Sequence, residues 1–519
     1  MHGRPRERLP GAASAASRIL AVSFSIFERS DVREVVERFS DSSRVTVVVG
    51  AGASIEAGFP SWQQLIERLL QRAARTRFAD AETEDRDLWV RETLSQDGLL
   101  GAGAVVEALS REQLQAWLVE ELFGGFAPDD FAPGPISRQV ARLRQRLGER
   151  LTIVTSNYDD LLEQALRESG YAAKDVKSYI RQRTSVPVGS VPVTHLHGYA
   201  GRDETKGTLV LSEEHYHRMQ RGSSWQEELM SERLLNSNCL FVGSSLTDPN
   251  LIRYLYGYRG ERPHAALFVR QAESARLSPR VQAAREEATA ERWRRCGVDA
   301  VFVDHFADLA QILHEIGLRH ENPSEYRPLF ERASAWITEI ETSVIGVERD
   351  SDFEIGQRFL SDRLRALLER GITEAESFGA DFSKEAIAAS LWLATRDGTQ
   401  LMSWATTDRL HRDRSTMEAV PIRAGSNWIA VEAFCRGTRF EEDRDIYASR
   451  WRYIRGLPLT PTIPGAGLLP VGCLTVTSTL PGAETMLEAM DDGVKAAFHN
   501  ILVEGMLDFL SEAASPASL

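Results

Sequence analysis

The sequence predicts an α/β domain built on a parallel sheet, followed by a smaller α+β domain with an antiparallel sheet. Three observations carry this reading. Between about residues 44 and 303, β-branched runs alternate with helical stretches, the pattern of parallel strands covered on both faces. At 519 residues the chain is longer than one hydrophobic core usually serves. Beyond about residue 350, two amphipathic helices bracket short apolar runs separated by turns.

The elements follow in order. Residues 1–29, rich in Ala, Ser and Arg without a period, read as a disordered lead. Strand 44–49 then opens a domain spanning 30–318. Helices are expected at 61–76, 111–122 and 135–147, strand 151–155, helix 159–169, a strand through 193–197 and another near 208–211. Helix 223–236, strand 239–243, helix 249–258 and strands 265–270 and 299–303 complete it. Residues 319–350 are polar and punctuated by Pro323, Pro328 and Gly346, and read as a linker, although 333–345 has the spacing of one helix. In the second domain, 351–513, Gly356, Leu360, Leu364, Leu367 and Leu368 share one helix face. Val494, Ala497, Phe498, Ile501, Leu502 and Phe509 share another, with strands at 388–395, 400–405, 427–431 and 471–478 between them.

Composition narrows the function. Lys plus Arg number 61 against 75 Asp plus Glu, a net charge of -14, which argues against direct nucleic-acid binding or attraction to anionic membranes. Apolar runs stay short of the roughly 20 residues of a membrane helix, and Arg18 interrupts the start, so the chain reads as cytoplasmic with no membrane partner. Cys239, Cys296, Cys435 and Cys473 are far apart, with no CxxC pair and no Cys/His cluster at zinc-ligand spacing. They read as reduced, mostly buried thiols, and no metal site is expected.

Four segments concentrate the chemistry. After the strand Val45, Thr46, Val47, Val48, Val49 comes the turn Gly50, Ala51, Gly52, Ala53, Ser54, where missing Cβ atoms, freedom for positive φ and a following helix N-terminus suit an anion such as a pyrophosphate. Strand 151–155 runs into Ser156, Asn157, Tyr158, Asp159 and Asp160, polar groups at the edge where open α/β sheets bind ligands; Asp159 or Asp160, the latter preferred, could equally cap the next helix. In Val193, Thr194, His195, Leu196, His197, Gly198, alternation puts both imidazoles on one side, at a strand end where a general base is useful. The last is Val242, Gly243, Ser244, Ser245, Leu246, Thr247, Asp248, Pro249, Asn250. Its glycine and hydroxyls suit a ribose or phosphate, and Asp248 with Pro249 could also open a helix.

Taken in order, these motifs resemble those of the sirtuin family, and more closely its divergent bacterial branch found in antiphage-defence proteins such as the Thoeris effector. The resemblance covers about residues 40 to 320 and implies a Rossmann-like NAD-binding domain. It further implies that Asn157 and His197 hold the catalytic positions, with Asp159 ordering the pocket. Gly50, Ala51, Gly52, Ser54, Gly58, Trp62 and Ser156 would line the dinucleotide, with Gly243, Ser244 and Ser245 bordering its adenosine half. Two departures matter: no four-cysteine zinc module is present, and the family's GIPDFR becomes Gly58, Phe59, Pro60, Ser61, Trp62, Gln63. Both are shared with the divergent branch, whose members commonly hydrolyse NAD.

The expected function is therefore a regulated NAD glycohydrolase of antiphage defence, releasing nicotinamide and an ADP-ribose product. An NAD-dependent deacylase or ADP-ribosyltransferase, and a non-catalytic NAD or ADP-ribose sensor, are the alternatives. Residues 351–513 are similar to a GAF domain, which implies a sensor of a small molecule, a phage-derived component or a partner protein, and a homo-oligomer.

Overall fold

The computed structural model describes residues 24–513, apart from 56, 125–131, 182–186, 202–204, 208, 219–223, 271–276, 346–349, 412–413, 424–425, 437–439, 444–449 and 462–468. The chain begins its sheet at the centre. Strands β1 (Val45–Val49), β2 (Leu151–Thr155), β3 (Val176–Tyr179) and β4 (Val191–His195) lie to one side, and two short strands, β5 (Tyr199–Ala200) and β6 (Thr205–Lys206), form a separate hairpin. β7 (Asn238–Val242), β8 (His264–Val269) and β9 (Val298–Val303) continue the sheet on the other side, giving the order β3-β4-β2-β1-β7-β8-β9 with every pair parallel.

Every residue of β1 is buried, which is why four of its five residues are valine, and the hydroxyl of the fifth, Thr46, is bonded to Ser237 Oγ at 2.7 Å. Val45, Val47 and Val49 face helices Ser30–Asp41, Pro135–Leu147, Leu161–Glu168 and Phe306–Glu321; Val48 faces helices Trp225–Asn236 and Pro249–Gly257 and Trp293. A third layer sits between β1 and β2 in sequence: helices Trp62–Arg77, Thr83–Ser110 and Leu114–Phe123, packed on one another and on Tyr158, Leu161, Leu209 and Leu211.

The second sheet is antiparallel, in the order β12-β11-β10-β15-β14-β13. Its strands are β10 (Ile387–Ala394), β11 (Gln400–Thr406), β12 (Ala419–Pro421), β13 (Phe440–Asp443), β14 (Tyr453–Leu459) and β15 (Gly472–Ser478). Helices Asp350–Ser377 and Asp492–Ala513 pair with each other, Gly371 against Phe498 and Gly505 against Leu367. The α/β and α+β classes are as the sequence predicts.

Several local expectations are corrected. The segment 427–431 is not a strand: helix Ile429–Arg436 starts there, and a short apolar run has no period of its own to separate the two. Leu209, Val210 and Leu211 are buried without joining a ladder, Val210 N–H donating instead to the His197 carbonyl. Of the expected disordered lead, residues 1–23 lie outside the described residues, whereas Phe24–Glu28 form a 3-10 turn burying Phe24, Ile26 and Phe27. Helix Thr83–Ser110 escaped the reading because it breaks at Gly98, φ +64, which rotates its apolar positions off a single stripe.

Within 319–350, helix Leu329–Ile340 buries Leu329, Ala333, Trp336, Ile337 and Ile340, and one apolar cluster runs through it from the parallel sheet to the core around β10 and β15. Ser334 Oγ donates to the Arg396 carbonyl at 2.6 Å, and Arg396 pairs with Glu341. Helix Ile429–Arg436 also comes within electrostatic reach of the segment after β9: the charges of Glu432 and Arg436 act on His305 and those of Asp304 and Asp308 act on Cys435. There Asp308 Oδ2 accepts the N–H groups of Asp304 and His305, while Arg270 binds both Asp304 and Glu286.

Burial, reinforced by Asp304, pushes the Asp308 carboxyl up to about 7. The folded chain therefore binds this proton more tightly than the unfolded chain, where an aspartate titrates near ~3.9, and stability falls as pH rises across that window and levels above it. Asp308→Asn keeps the acceptor and removes the titration. Its urea midpoint should gain on wild type steadily from pH ~4 to pH ~7; a constant difference would contradict this.

Candidate active site

The four motif segments leave the sheet in one row. Thr155 pairs with Val49 and with His195, and Val49 pairs with Val242, so four adjacent strand ends stand level at the carboxyl edge. Asn157 follows Thr155 by two residues and His197 follows His195 by two, which brings both to neighbouring positions on the same edge. This is where an open α/β sheet changes direction, β1 having β2 on one side and β7 on the other.

The glycine turn differs from expectation in its details. Neither Gly50 nor Gly52 takes positive φ. A Cβ on Gly50 would stand 2.6 Å from the Gly243 carbonyl oxygen, and one on Gly52 would stand 2.8 Å from both Gly243 Cα and Phe306 Cε1. Glycine is required because the turn after β1 packs directly on the turn after β7. Positive φ occurs instead at Gly58 (+92), Gly198 (+89) and Gly243 (+64). The helix that opens here is the single turn Gly52–Ile55, and its leading N–H groups are engaged: Gly50 with Val242, Gly52 with Gly243, Ala53 with Gly50 and Ser54 with Ala51. The free N–H cradle read from the sequence is thus occupied by internal bonds.

Asn157 is built into this turn. Its Nδ2 donates to the Gly50 carbonyl at 3.0 Å and to Ser54 Oγ at 2.8 Å, so both amide hydrogens are used and Oδ1 remains as an acceptor. Its N–H donates to Thr155 Oγ1. Ser54 Oγ in turn donates to Asp159 Oδ2 at 2.6 Å. Asp159 is 6% exposed, and burial pushes its carboxyl up against the opposing effect of the Ser54 bond. Asp159 Oδ1 also accepts the Leu161 N–H, whereas Asp160, the expected cap, makes no side-chain cap bond and receives Gln164 Nε2.

The two imidazoles have separate tasks. His195 is fully buried, bonded through Nδ1 to the Asn157 carbonyl and through Nε2 to Glu163 Oε1, each at 2.9 Å. Burial opposes its charge, but Glu163 and the Asn157 carbonyl together raise it, and Glu163 is lowered in return despite its own burial. His195 therefore locks the Asn157 backbone. His197 turns toward Asp248, Nε2 to Oδ2 3.3 Å, with the Tyr216 ring edge-on 5.6 Å away.

The remaining predicted residues line this edge unequally. Ser156 N–H donates to the Val49 carbonyl, and Ala51 is partly exposed. Ser244 Oγ accepts the Leu246 N–H and keeps its own proton for another acceptor, while Ser245 is exposed and bonded to Thr247. Trp62 opens the helix capped by Ser61 and Gln64, 6.3 Å from the Tyr158 ring. Sequence reasoning missed Glu163, Tyr216 and Phe306 altogether; each sits outside the motifs and is joined to them only by folding. Among the described residues no group of three or more His, Cys, Asp or Glu side chains could hold a metal ion, the four cysteines are buried and unpaired, and no helix is long and apolar enough to cross a membrane.

Turn-on-turn packing makes a simple prediction. Gly50→Ala or Gly52→Ala drives a methyl into backbone, and overpacking of this kind costs about 1–3 kcal/mol. Thermal and urea unfolding should show the loss, and wild-type stability in both variants would refute the packing argument.

Parts of the chain are similar to known proteins. Residues 151–300 match the family described as SIR2-like domain. Three curated proteins named NAD(+) hydrolase ThsA are similar to the chain. That of Enterococcus faecium is 26% identical over 242 residues, 45% of either chain. That of Bacillus cereus strain MSX-D12 is 23% identical over 60% of this chain and 61% of its own. That of Acinetobacter baumannii strain 532279 is 26% identical over 54% of each. The chain thus spans about half the length of the curated relatives it matches. A solved Sir2 homologue–NAD complex is 14% identical over 56% of this chain and 94% of its own, TM-score 0.26. A putative GAF sensor protein from Burkholderia vietnamiensis is 11% identical over 37% and 98%, TM-score 0.19. The match to the SIR2-like domain family thus falls within the parallel-sheet part of this chain, from β2 into β9.

Proposed function

We propose that the protein is an NAD hydrolase that releases nicotinamide and ADP-ribose. The observation that carries this reading is the placing of Asn157 and His197 at neighbouring strand ends, with the Asn157 amide anchored on the glycine turn. The printed name of the similar proteins, NAD(+) hydrolase, supports it.

Breaking the nicotinamide glycosidic bond leaves an oxocarbenium-like ribose, which fixed dipoles in an enclosed pocket stabilise. Asn157 Oδ1 accepts a hydrogen bond from a water or a ribose hydroxyl and aligns it. His197 takes the proton that this group gives up. Asp159 holds Ser54, and through it the amide, in one orientation. Ser156, Ser244 and Ser245 supply hydroxyls along the same edge for the rest of the dinucleotide.

Unchecked NAD hydrolysis would empty a cell, so the same reading includes control, with the GAF-like unit restraining the SIR2-like domain until a small molecule, phage component or partner protein acts, in antiphage defence. What supports it is that the charges of Glu432 and Arg436, on helix Ile429–Arg436, reach His305, whose neighbour Phe306 lies against Gly52. In the full chain, Phe306→Ala should raise nicotinamide release without any activator severalfold; a fall would count against restraint through this contact.

The main test follows free nicotinamide and ADP-ribose after NAD is added to purified protein, with and without candidate activators. Asn157→Ala and His197→Ala should each cut release at least ~100-fold, the usual scale for a positioned acid–base group, while NAD binding persists. Retained turnover in either variant would remove that residue from the proposed chemistry. Release that required an acylated peptide would favour a deacylase instead.

A further inference from the structure

We propose that Asp248 is a positioning residue that selects the proton-bearing nitrogen of His197, a role that rests on reading His197 as the base of NAD hydrolysis. The sequence left Asp248 as a helix cap, and it is one: Oδ1 accepts the N–H groups of Asn250 and Leu251, each at 2.9 Å, at the start of helix Pro249–Gly257. Its other oxygen does separate work. Oδ2 lies 3.3 Å from His197 Nε2 and accepts the Tyr216 hydroxyl at 2.7 Å.

The carboxylate cannot turn. Two backbone donors hold one oxygen and a phenol holds the other, in surroundings where the side chain is 15% exposed and that of His197 is 7% exposed. An ionised carboxylate only accepts hydrogen bonds, so the imidazole nitrogen beside it, Nε2, carries the hydrogen. The lone pair of the neutral ring is then on Nδ1. The Tyr216 proton is already given to Asp248 and does not compete for the ring.

The consequence for the reaction is specific. As the glycosidic C–N bond breaks and nicotinamide departs with its electron pair, the water oxygen bonds to the anomeric carbon and its proton passes, directly or through a ribose hydroxyl, to Nδ1. The imidazolium so formed faces a carboxylate fixed beforehand. Because Asp248 holds the start of the helix after β7 and touches no reacting atom, it acts through His197 alone.

The test uses the full chain labelled with nitrogen-15 histidine, with His197→Gln to assign the ring. Wild type should show the hydrogen on Nε2. Asp248→Asn preserves the cap, since asparagine caps as well as aspartate, but its amide donates to Nε2 and should move the hydrogen to Nδ1. With the wrong tautomer, kcat for nicotinamide release should fall at least ~100-fold while KM for NAD and the unfolding midpoint change little. Tyr216→Phe, which leaves cap and carboxylate in place, should lower kcat less and keep the wild-type tautomer. An unchanged imidazole spectrum in Asp248→Asn, or a loss confined to KM and stability, would overturn the proposal. If wild type releases no nicotinamide under any condition, hydrolysis is what fails, and the imidazole spectra still decide whether Asp248 sets the tautomer.

Discussion

The carboxyl edge of the parallel sheet depends on one backbone contact, the turn after β1 lying against the turn after β7. In-register parallel pairing of Val49 with Val242 sends both turns out of the sheet at the same height, and the Gly52 N–H closes on the Gly243 carbonyl at 2.7 Å. Only glycine lets them pass so closely. The contact fixes the single helical turn that carries Ser54, Ser54 joins Asn157 to Asp159, and the Gly50 carbonyl takes the second amide hydrogen of Asn157. With both Asn157 amide hydrogens, the Ser54 hydroxyl and both Asp159 oxygens bonded, this network is rigid and leaves Asn157 Oδ1 open as an acceptor.

Much of this was legible in the sequence because buried parallel strands announce themselves as short, mostly β-branched and apolar runs. The sequence places β1, β2, β7, β8 and β9 within a residue or two, and the polar exits of β1, β2 and β7 point to one edge. What could not be read was which polar side chain serves the fold and which faces the opening. His195 and His197 are two residues apart and chemically identical, yet Glu163 claims the first and Asp248 stands beside the second, and neither partner is near in sequence. Asp159 and Asp160 show the same blindness: the burial of Asp159, not its order in the chain, makes it both cap and Ser54 partner. The reason for the glycines was also hidden, since Gly243 lies nearly the length of a domain away from Gly50. In the second domain the run at 427–431 was too short to display helical spacing, and the partner strands β13 and β14 carry charged and proline-interrupted sequences.

The two sheets are chemically unlike. The parallel sheet gathers polar turns at one edge and has helices on both faces, whereas the antiparallel sheet has a paired-helix layer and a short helix, Ile429–Arg436, whose buried residues include Glu432. That carboxylate pairs with Arg436, and its charge also acts on His305, whose readiness to take a proton burial lowers.

Helix Leu329–Ile340 has a mechanical consequence. Trp336, Ile337 and Ile340 belong to a single apolar cluster shared by both sheets. Prising the two halves apart would wet that seam, at roughly 25 cal/mol for each square ångström uncovered. Movement between them is therefore cheapest as a slide along the seam, in which side chains exchange neighbours without meeting water.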